Sequence, residues 1–76
     1  SKVVPEAPAA LVQLALSYGL PVKDAPILAA TLHAKAEILV TGDARHFGEL
    51  YGKKPQGTLV ATPATALNIV LKRLGF

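Results

Sequence analysis

Two aspartates stand at positions where an α/β fold would bring them together. Residues Ile38–Thr41 form a largely apolar, β-branched run, and Gly42 and Asp43 follow it directly. This order is typical of a buried parallel strand that delivers an acidic side chain to the carboxyl edge of a sheet, where open α/β folds bind their ligands. Asp24 begins the helix that leads into this strand. Two converging carboxylates favour a divalent metal site.

The helix that begins at Asp24 and the strand that ends at Thr41 are expected to be antiparallel neighbours. The helix runs to about Lys35, so it is about 18 Å long, and a short link leads from it into Ile38. A link this short turns the chain back on itself, so the helix start lies at the same edge of the sheet as the strand end. That edge is expected to collect Asp24, Thr41, Asp43, Arg45, His46 and Thr62.

The chemistry of such an edge depends on the ion that it holds. Mg²⁺ and Mn²⁺ are commonly bound by one or two carboxylates together with waters and substrate phosphates. Such an ion lowers the pKa of a bound water and stabilises the transition state of phosphoryl transfer. We therefore expect Asp24 and Asp43 to hold Mg²⁺ or Mn²⁺. Each aspartate also has a simpler interpretation, as the N-cap of the helix or turn that follows it.

The remaining pattern indicates alternating helices and strands. Apolar residues at helical spacing predict a helix over 8–18, and Gly19 is suited to end it. A second apolar run predicts a strand over Thr58–Ala61, and Thr62 with Pro63 predicts the start of a last helix. Residues 44–51 are expected to form a short polar turn or helix, and 52–57 a loop. This order is typical of an α/β fold with parallel strands. The last helix is expected to bury Ala66, Leu67, Val70, Leu71 and Leu74.

The composition suggests that the sheet is not complete within this chain. Seventy-six residues allow one small domain, yet 51% of them are apolar and the mean hydropathy is +0.41. The two predicted strands are continuously apolar, which is typical of strands covered on both faces. A two-stranded sheet of this kind is not stable alone in water. We therefore expect either a homo-oligomer or an additional segment that supplies missing strands.

Charge and apolar run lengths limit the partners only weakly. The net charge of +3 favours a polyanion, and no apolar run approaches the about 20 residues of a membrane span. No targeting segment is evident, so a cytoplasmic protein without membrane contact is expected, and the absence of cysteine excludes disulfides and thiolate metal sites. The candidate nucleic-acid-binding residues, which are equally consistent with a solvated loop surface, are Lys23, Arg45, His46, Lys53 and Lys54.

Three segments of the chain resemble a known family. KDAPILAA at 23–30, AEILVTGDARHF at 36–47 and VATPA at 60–64 together are similar to the C-terminal half of a PIN domain, over roughly residues 20–70. The resemblance implies a Rossmann-like parallel sheet with flanking helices and a metal-dependent ribonuclease that cleaves single-stranded RNA. It further implies Mg²⁺ or Mn²⁺ held by about four acids, with Asp24 and Asp43 among them and Thr41 in support, and an antitoxin protein as a possible partner.

The chain departs from the family pattern at its N-terminal side. The family's first strand with its terminal acid has no counterpart, and neither has the acid on an early helix, so residues 1–76 correspond to one partial PIN-like domain. A truncated, non-catalytic module that serves self-association or partner binding is therefore the alternative. A piece of a haloacid-dehalogenase-like phosphatase is a further alternative, but the Asp-x-Asp arrangement that this chemistry needs is not in the sequence.

Overall fold

A computed structural model describes residues 6–76 and has the predicted α/β architecture. Residues 1–5 of the predicted domain lie outside the described residues. The predicted order of elements is confirmed, and their ends differ from the predicted ends by a residue or two. The elements are α1 (Ala9–Ser17), α2 (Ala25–His33), β1 (Ile38–Val40), α3 (Ala44–Phe47), β2 (Leu59–Ala61) and α4 (Pro63–Arg73), with one-turn 3-10 segments at Gly48–Leu50 and Pro55–Gly57.

The helix ends follow from local chemistry. Gly19, which follows α1 and its cap residue, has a φ of +87°, a conformation that glycine adopts without steric cost. At the start of α4, the Thr62 hydroxyl accepts a hydrogen bond from the Thr65 N–H at 3.1 Å, with Pro63 in the first turn. The predicted cap of α4 is therefore confirmed, and it fixes the direction in which the chain leaves β2.

The two strands are parallel, and Leu39 lies opposite Val60. The ladder continues beyond both ends of β1, because Leu59 N–H donates to Glu37 C=O at 2.8 Å and Thr41 N–H donates to Ala61 C=O at 3.0 Å. On the outer side of β2, the backbone groups of Val60 bond to the 52–53 segment at 2.9 and 3.0 Å. The loop thus covers the outer edge of β2.

The core lies between the sheet and the first two helices. Helices α1 and α2 pack against each other and against the sheet face that carries Leu39 and Val60. Thr58 is buried just before β2, and its hydroxyl donates a hydrogen bond to the Ala36 C=O at 2.6 Å. This bond ties the link between α2 and β1 to the start of β2. The buried apolar residues of this core are Ala15, Leu20, Ala25, Leu28, Ala29, Leu32, Phe47, Leu50 and Val60.

The opposite face of the sheet is only thinly covered. This corrects the prediction that both strands are covered on both faces and the prediction that the last helix buries its whole apolar face. Helix α4 contacts both strands, but of its predicted buried face only Ala66 is buried, while Leu67, Val70 and Leu74 are about half to two-thirds exposed. Val40 of β1 is also 49% exposed. The physical reason is that two strands are too narrow to cover an apolar face of this width.

Within residues 6–76, no helix has both the length and the apolar character needed to cross a membrane.

Candidate metal centre

Asp24 lies just before α2 and is buried, with 5% of its surface exposed. The sequence interpretation of Asp24 as a capping side chain is wrong, because its carboxylate makes no capping hydrogen bond. The donors of this first turn are already used: Ala25 N–H bonds to Pro21 C=O, Pro26 has no N–H, and Ile27 N–H bonds to the Asp24 C=O. The Asp24 carboxylate therefore remains available to the sheet edge.

Asp43 follows β1 and is the N-cap of α3. One carboxylate oxygen, Oδ1, accepts a hydrogen bond from the His46 backbone N–H at 3.3 Å, and Oδ2 lies 2.8 Å from His46 Nδ1. An ionised carboxylate only accepts hydrogen bonds, so Nδ1 carries the proton in this contact. Asp43 is thus a helix cap, as its simpler interpretation predicts, and also the partner of an imidazole.

Thr41 fixes the backbone that carries Asp43. Its hydroxyl accepts a hydrogen bond from the Asp43 N–H at 3.1 Å, and its carbonyl accepts one from the Tyr51 hydroxyl at 2.8 Å. These bonds hold the turn between β1 and α3 in place. In this structure the Thr41 hydroxyl is a positioning group for Asp43.

The two aspartates and His46 form one cluster at the carboxyl edge of the sheet. Each offers a ligand atom, and these atoms lie within 4.8 Å of one another. His46 Nδ1 is 3.5 Å from Asp24 Oδ2. The Lys23 ammonium also contacts Asp24, with Nζ 3.1 Å from Oδ1 and 3.0 Å from Oδ2. The expected convergence of Asp24 and Asp43 is therefore present in the fold.

The environment of Asp43 favours its ionised form. Its pKa lies below the ordinary value of 3.8, chiefly because the His46 side chain hydrogen-bonds to the carboxylate. The His46 backbone N–H and the positive charges of His46 and Lys23 act in the same direction, and partial burial opposes them. Asp43 is consequently ready to bind a cation without first losing a proton.

The donor set suits a divalent cation of the first transition row. Carboxylate oxygens suit Mg²⁺ and Mn²⁺ alike, but an imidazole nitrogen is not among the oxygen ligands that Mg²⁺ takes. The two carboxylates therefore suit Mg²⁺ and Mn²⁺ alike, and the imidazole favours a transition-metal dication. Lys23 Nζ and His46 Nδ1 already contact these carboxylates, so a cation must compete with two positively charged or proton-donating groups.

The structure does not bring all the predicted basic residues to this cluster. Lys23 belongs to it, and exposed Arg45 lies beside it in α3, next to His46. Lys53 lies along β2, where its carbonyl bonds to the Val60 N–H at 3.0 Å. Lys54 lines a cavity with Glu37 and Arg73 at the amino edge of the sheet. Lys53 and Lys54 are therefore outside the cluster, because the loop before β2 returns the chain to the opposite edge.

Thr62 does lie at the carboxyl edge, but its hydroxyl caps α4 by accepting from Thr65 N–H. His46 was expected at this edge as a residue that contacts nucleic acid, and it is also a member of the acidic cluster. The signal for this was its spacing: a residue three positions after an N-cap returns toward the cap. The Asp43-x-x-His46 spacing therefore predicts the observed contact.

A cavity of about 260 Å³ adjoins the cluster, and His46 is common to both. It lies between the end of α1, the turn before Asp24, and α3 with the 3-10 turn after it. A larger cavity, of about 410 Å³, lies between α1, α2 and the 3-10 turn before β2, and is lined by Leu11, Leu32, His33 and Glu37 among others. Of these two cavities, the smaller is the relevant one, because His46 of the acid-imidazole cluster lines it.

Comparisons with protein-family models, with curated proteins and with solved structures found no match for this chain. An assignment of function therefore rests on the residues and on the geometry of the cluster.

Proposed function

We propose that this chain is a PIN-like, divalent-metal-dependent endoribonuclease that cleaves phosphodiester bonds of single-stranded RNA. The observation that carries the proposal is the meeting of Asp24, Asp43 and His46, whose ligand atoms lie within 4.8 Å at the carboxyl edge of a parallel sheet. This is where open α/β folds bind their ligands. The three sequence segments similar to PIN domains support the same reaction class. Its substrate, cellular RNA, places the proposed activity in the cytoplasm.

Within this proposal, the side chains divide into metal ligands and phosphate contacts. Asp24, Asp43 and His46 would hold Mn²⁺ or Mg²⁺, and Thr41 keeps Asp43 in position through its N–H. Lys23, with a side chain 67% exposed, and the exposed Arg45 are placed to bind the phosphates that flank the cleaved bond. When bound, the metal supplies a nucleophilic water at neutral pH and stabilises the charge of in-line displacement.

His46 has a second role open to it because of how it is held. Asp43 fixes the ring through Nδ1 at 2.8 Å, which leaves Nε2 as the nitrogen that this contact does not use. A neutral or protonated imidazole can exchange a proton near neutral pH. In the proposed reaction, His46 therefore either binds the cation or transfers a proton to the departing oxygen.

The sheet edge indicates where further acids would come from. Backbone groups alternate along a strand, so the N–H and C=O groups of Ile38 and Val40 point away from β2. Within residues 6–76 they have no hydrogen-bond partner. We propose that a strand from an additional segment or from another chain pairs with this edge and supplies the remaining carboxylates of the cluster.

The proposed reaction is tested with a mixed-sequence single-stranded RNA and Mn²⁺. The wild-type chain should cleave it, EDTA should stop cleavage, and Asp43→Asn should be inactive. Glu37→Gln removes the same charge from an exposed, distant position that is paired with Arg73 at 2.6 Å, and should keep full activity. No cleavage by the folded chain, alone or mixed with a strand-donating partner, would contradict the proposal.

A second candidate function is self-association without catalysis. The observation that favours it is the unpaired edge of β1, which adjoins exposed Val40 and the exposed apolar residues Leu67, Val70 and Leu74 of α4. Edges of this kind pair readily with other strands, and pairing with a second copy would extend the sheet to four strands. An antitoxin protein that covers α4 is the competing occupant.

Light scattering after size-exclusion chromatography tests the second candidate. A dimer that Val40→Lys dissociates, in a chain without metal affinity, would favour self-association, because a charge on an edge strand opposes strand pairing. Val22→Lys is the matched control, since Val22 is 79% exposed and lies outside the strand. A monomer at high concentration would exclude this candidate.

A further inference from the structure

The cavity beside the metal cluster has the size and the walls of a nucleobase site. Its volume is about 260 Å³, slightly less than the smallest sites for drug-sized ligands, which have volumes of about 300–1,000 Å³. The cavity can therefore hold a single flat ring system. His46 lines the cavity and also belongs to the cluster, so the two sites share one side chain. A ligand in the cavity would therefore place its neighbouring phosphate at the metal site.

One wall of the cavity is aromatic. Tyr18 follows α1 and lines the cavity beside Gly19 and Pro21. Its side chain is not part of the core, since 37% of the residue is exposed. Single-stranded bases stack on such rings when they bind proteins.

The lining of the cavity also carries two opposite charges that are not paired with each other. Arg45 and Glu49 both line the cavity and are exposed. Among the described residues, neither forms an ion pair with the other or with a third residue. An ionised carboxylate can only accept hydrogen bonds. The Glu49 carboxylate therefore selects a ligand with donor groups, while Arg45 suits a phosphate.

Among the four RNA bases, guanine matches this carboxylate best. Its Watson–Crick edge presents two adjacent donors, the N1–H and the N2 amino group, which can form two parallel bonds with the two oxygens of Glu49. Adenine and cytosine each present one amino donor beside an acceptor nitrogen, and uracil presents one N–H between two carbonyls. An acceptor-only group cannot pair with those neighbouring acceptors.

We propose that this cavity binds a guanine base of the RNA, stacked on Tyr18 and bonded to Glu49, next to the phosphate at the metal cluster. This inference rests on the proposed function, since it names the nucleotide that the same site prefers.

The test uses 5′-GMP, 5′-AMP, 5′-CMP and 5′-UMP with the metal-free chain in EDTA, monitored by amide chemical shifts. GMP should shift the amides of Tyr18, Arg45 and Glu49 and should bind about 5- to 100-fold more tightly than the other nucleotides, the discrimination expected of a bidentate base contact. Ribose 5-phosphate should not reproduce these shifts, because it lacks the base.

Two variants and one matched control locate the contact. Tyr18→Ala should weaken GMP binding about 5- to 100-fold, as loss of a stacking ring does, and Glu49→Gln should remove the preference for GMP while the chain remains folded. Phe76→Ala removes an equally aromatic but remote side chain that is 85% exposed, and should leave GMP binding unchanged.

The outcomes separate this inference from the proposed function. Equal binding of all four nucleotides, or ribose 5-phosphate shifts identical to those of GMP, would overturn the guanine site even if the chain cleaves RNA with Mn²⁺. Guanine-selective binding that Tyr18→Ala abolishes would support the site even if the wild type and Asp43→Asn showed equal Mn²⁺ affinity.

Discussion

Replacing Asp43 with asparagine should remove metal binding while leaving the fold intact. Asparagine is as good an N-cap as aspartate, and its side-chain oxygen can still accept from the His46 N–H, so α3 should keep its start. The Asp43 side chain is 41% exposed, so the change leaves no buried charge without a partner. Asp24 is less suitable for this test, because it is only 5% exposed and holds Lys23.

The size of the effect follows from the small number of ligands. The cluster has two carboxylates, and Lys23 offsets one of their charges, so Asp43→Asn leaves no net negative charge to attract a dication. Removing a group that only orients a ligand commonly costs about 10- to 100-fold in metal affinity. Loss of a ligand should cost at least as much. We therefore expect Mn²⁺ affinity to fall by at least about tenfold.

Glu37→Gln is the matched control for this change. Glu37 and Asp43 lie beyond opposite ends of β1, and the ladder from Glu37 to Thr41 alone spans about 13 Å at about 3.3 Å per residue, while charges are screened over about 8 Å at physiological ionic strength. The control should therefore change Mn²⁺ affinity by less than about twofold, although it breaks the Glu37–Arg73 ion pair.

The assay is a titration with Mn²⁺ that combines electron paramagnetic resonance of the free ion with NMR line broadening. Broadening should centre on His46 and on the amides around Asp24 and Asp43. Circular dichroism should show equal helix content in the wild type and in Asp43→Asn. Equal Mn²⁺ affinity of the variant and the wild type, or broadening centred elsewhere, would refute the assignment of the ligands.

Three further changes test the surroundings of the cluster. Lys23→Ala should tighten Mn²⁺ binding by up to about fivefold. An ion pair with an exposed lysine is worth about 0.2–1 kcal/mol, and its loss frees Asp24. Weaker Mn²⁺ binding in a calorimetric titration would contradict this prediction. The carboxyl carbon of Asp43 should titrate by NMR with a pKa below 3.8, and His46→Ala should raise that pKa. The His46 contact therefore stabilises the fold at pH values above the ordinary pKa of an aspartate. This stabilisation is lost as the pH falls through the lowered pKa of Asp43. Thr58→Val should lower the free energy of unfolding in urea by about 1–3 kcal/mol, because it removes the donor of the part-buried bond to the Ala36 carbonyl, whereas Thr58→Ser should keep the bond.

The meeting of the two aspartates could be predicted because it depends only on local features. A helix of known polarity, a short link and a strand fix which ends share an edge, and Asp24 and Asp43 stand at those ends. The cap of α4 was equally local, since Thr62 and Pro63 specify a helix start whatever packs around it. These predictions needed no knowledge of what covers the sheet.

Predictions that depended on distant parts of the chain did less well. The burial of Leu67 and Val70 was inferred from helical spacing, which gives the apolar face of α4 but not whether a surface wide enough to cover it exists. The position of Lys54 depended on the path of the loop before β2, which spacing does not determine. The role of Asp24 depended on the two donors that a capping side chain binds: Pro26 has no N–H, and the Ile27 N–H bonds to the Asp24 C=O instead.

Lys23 links the two ligands that the proposed enzyme must bind. Its ammonium lies 3.0 Å from Asp24 Oδ2, so it occupies a carboxylate that the proposed metal needs. An RNA phosphate that attracts Lys23 releases Asp24, and thermodynamic reciprocity then requires that the metal strengthens RNA binding by the same factor. Lys23→Ala removes this coupling between RNA binding and metal binding. The cation should then bind more tightly on its own, but RNA should no longer add to the affinity of the cation. In the proposed enzyme, a lysine beside the acids is therefore not simply a neutralising charge, because it makes the affinity of the proposed metal site depend on the substrate.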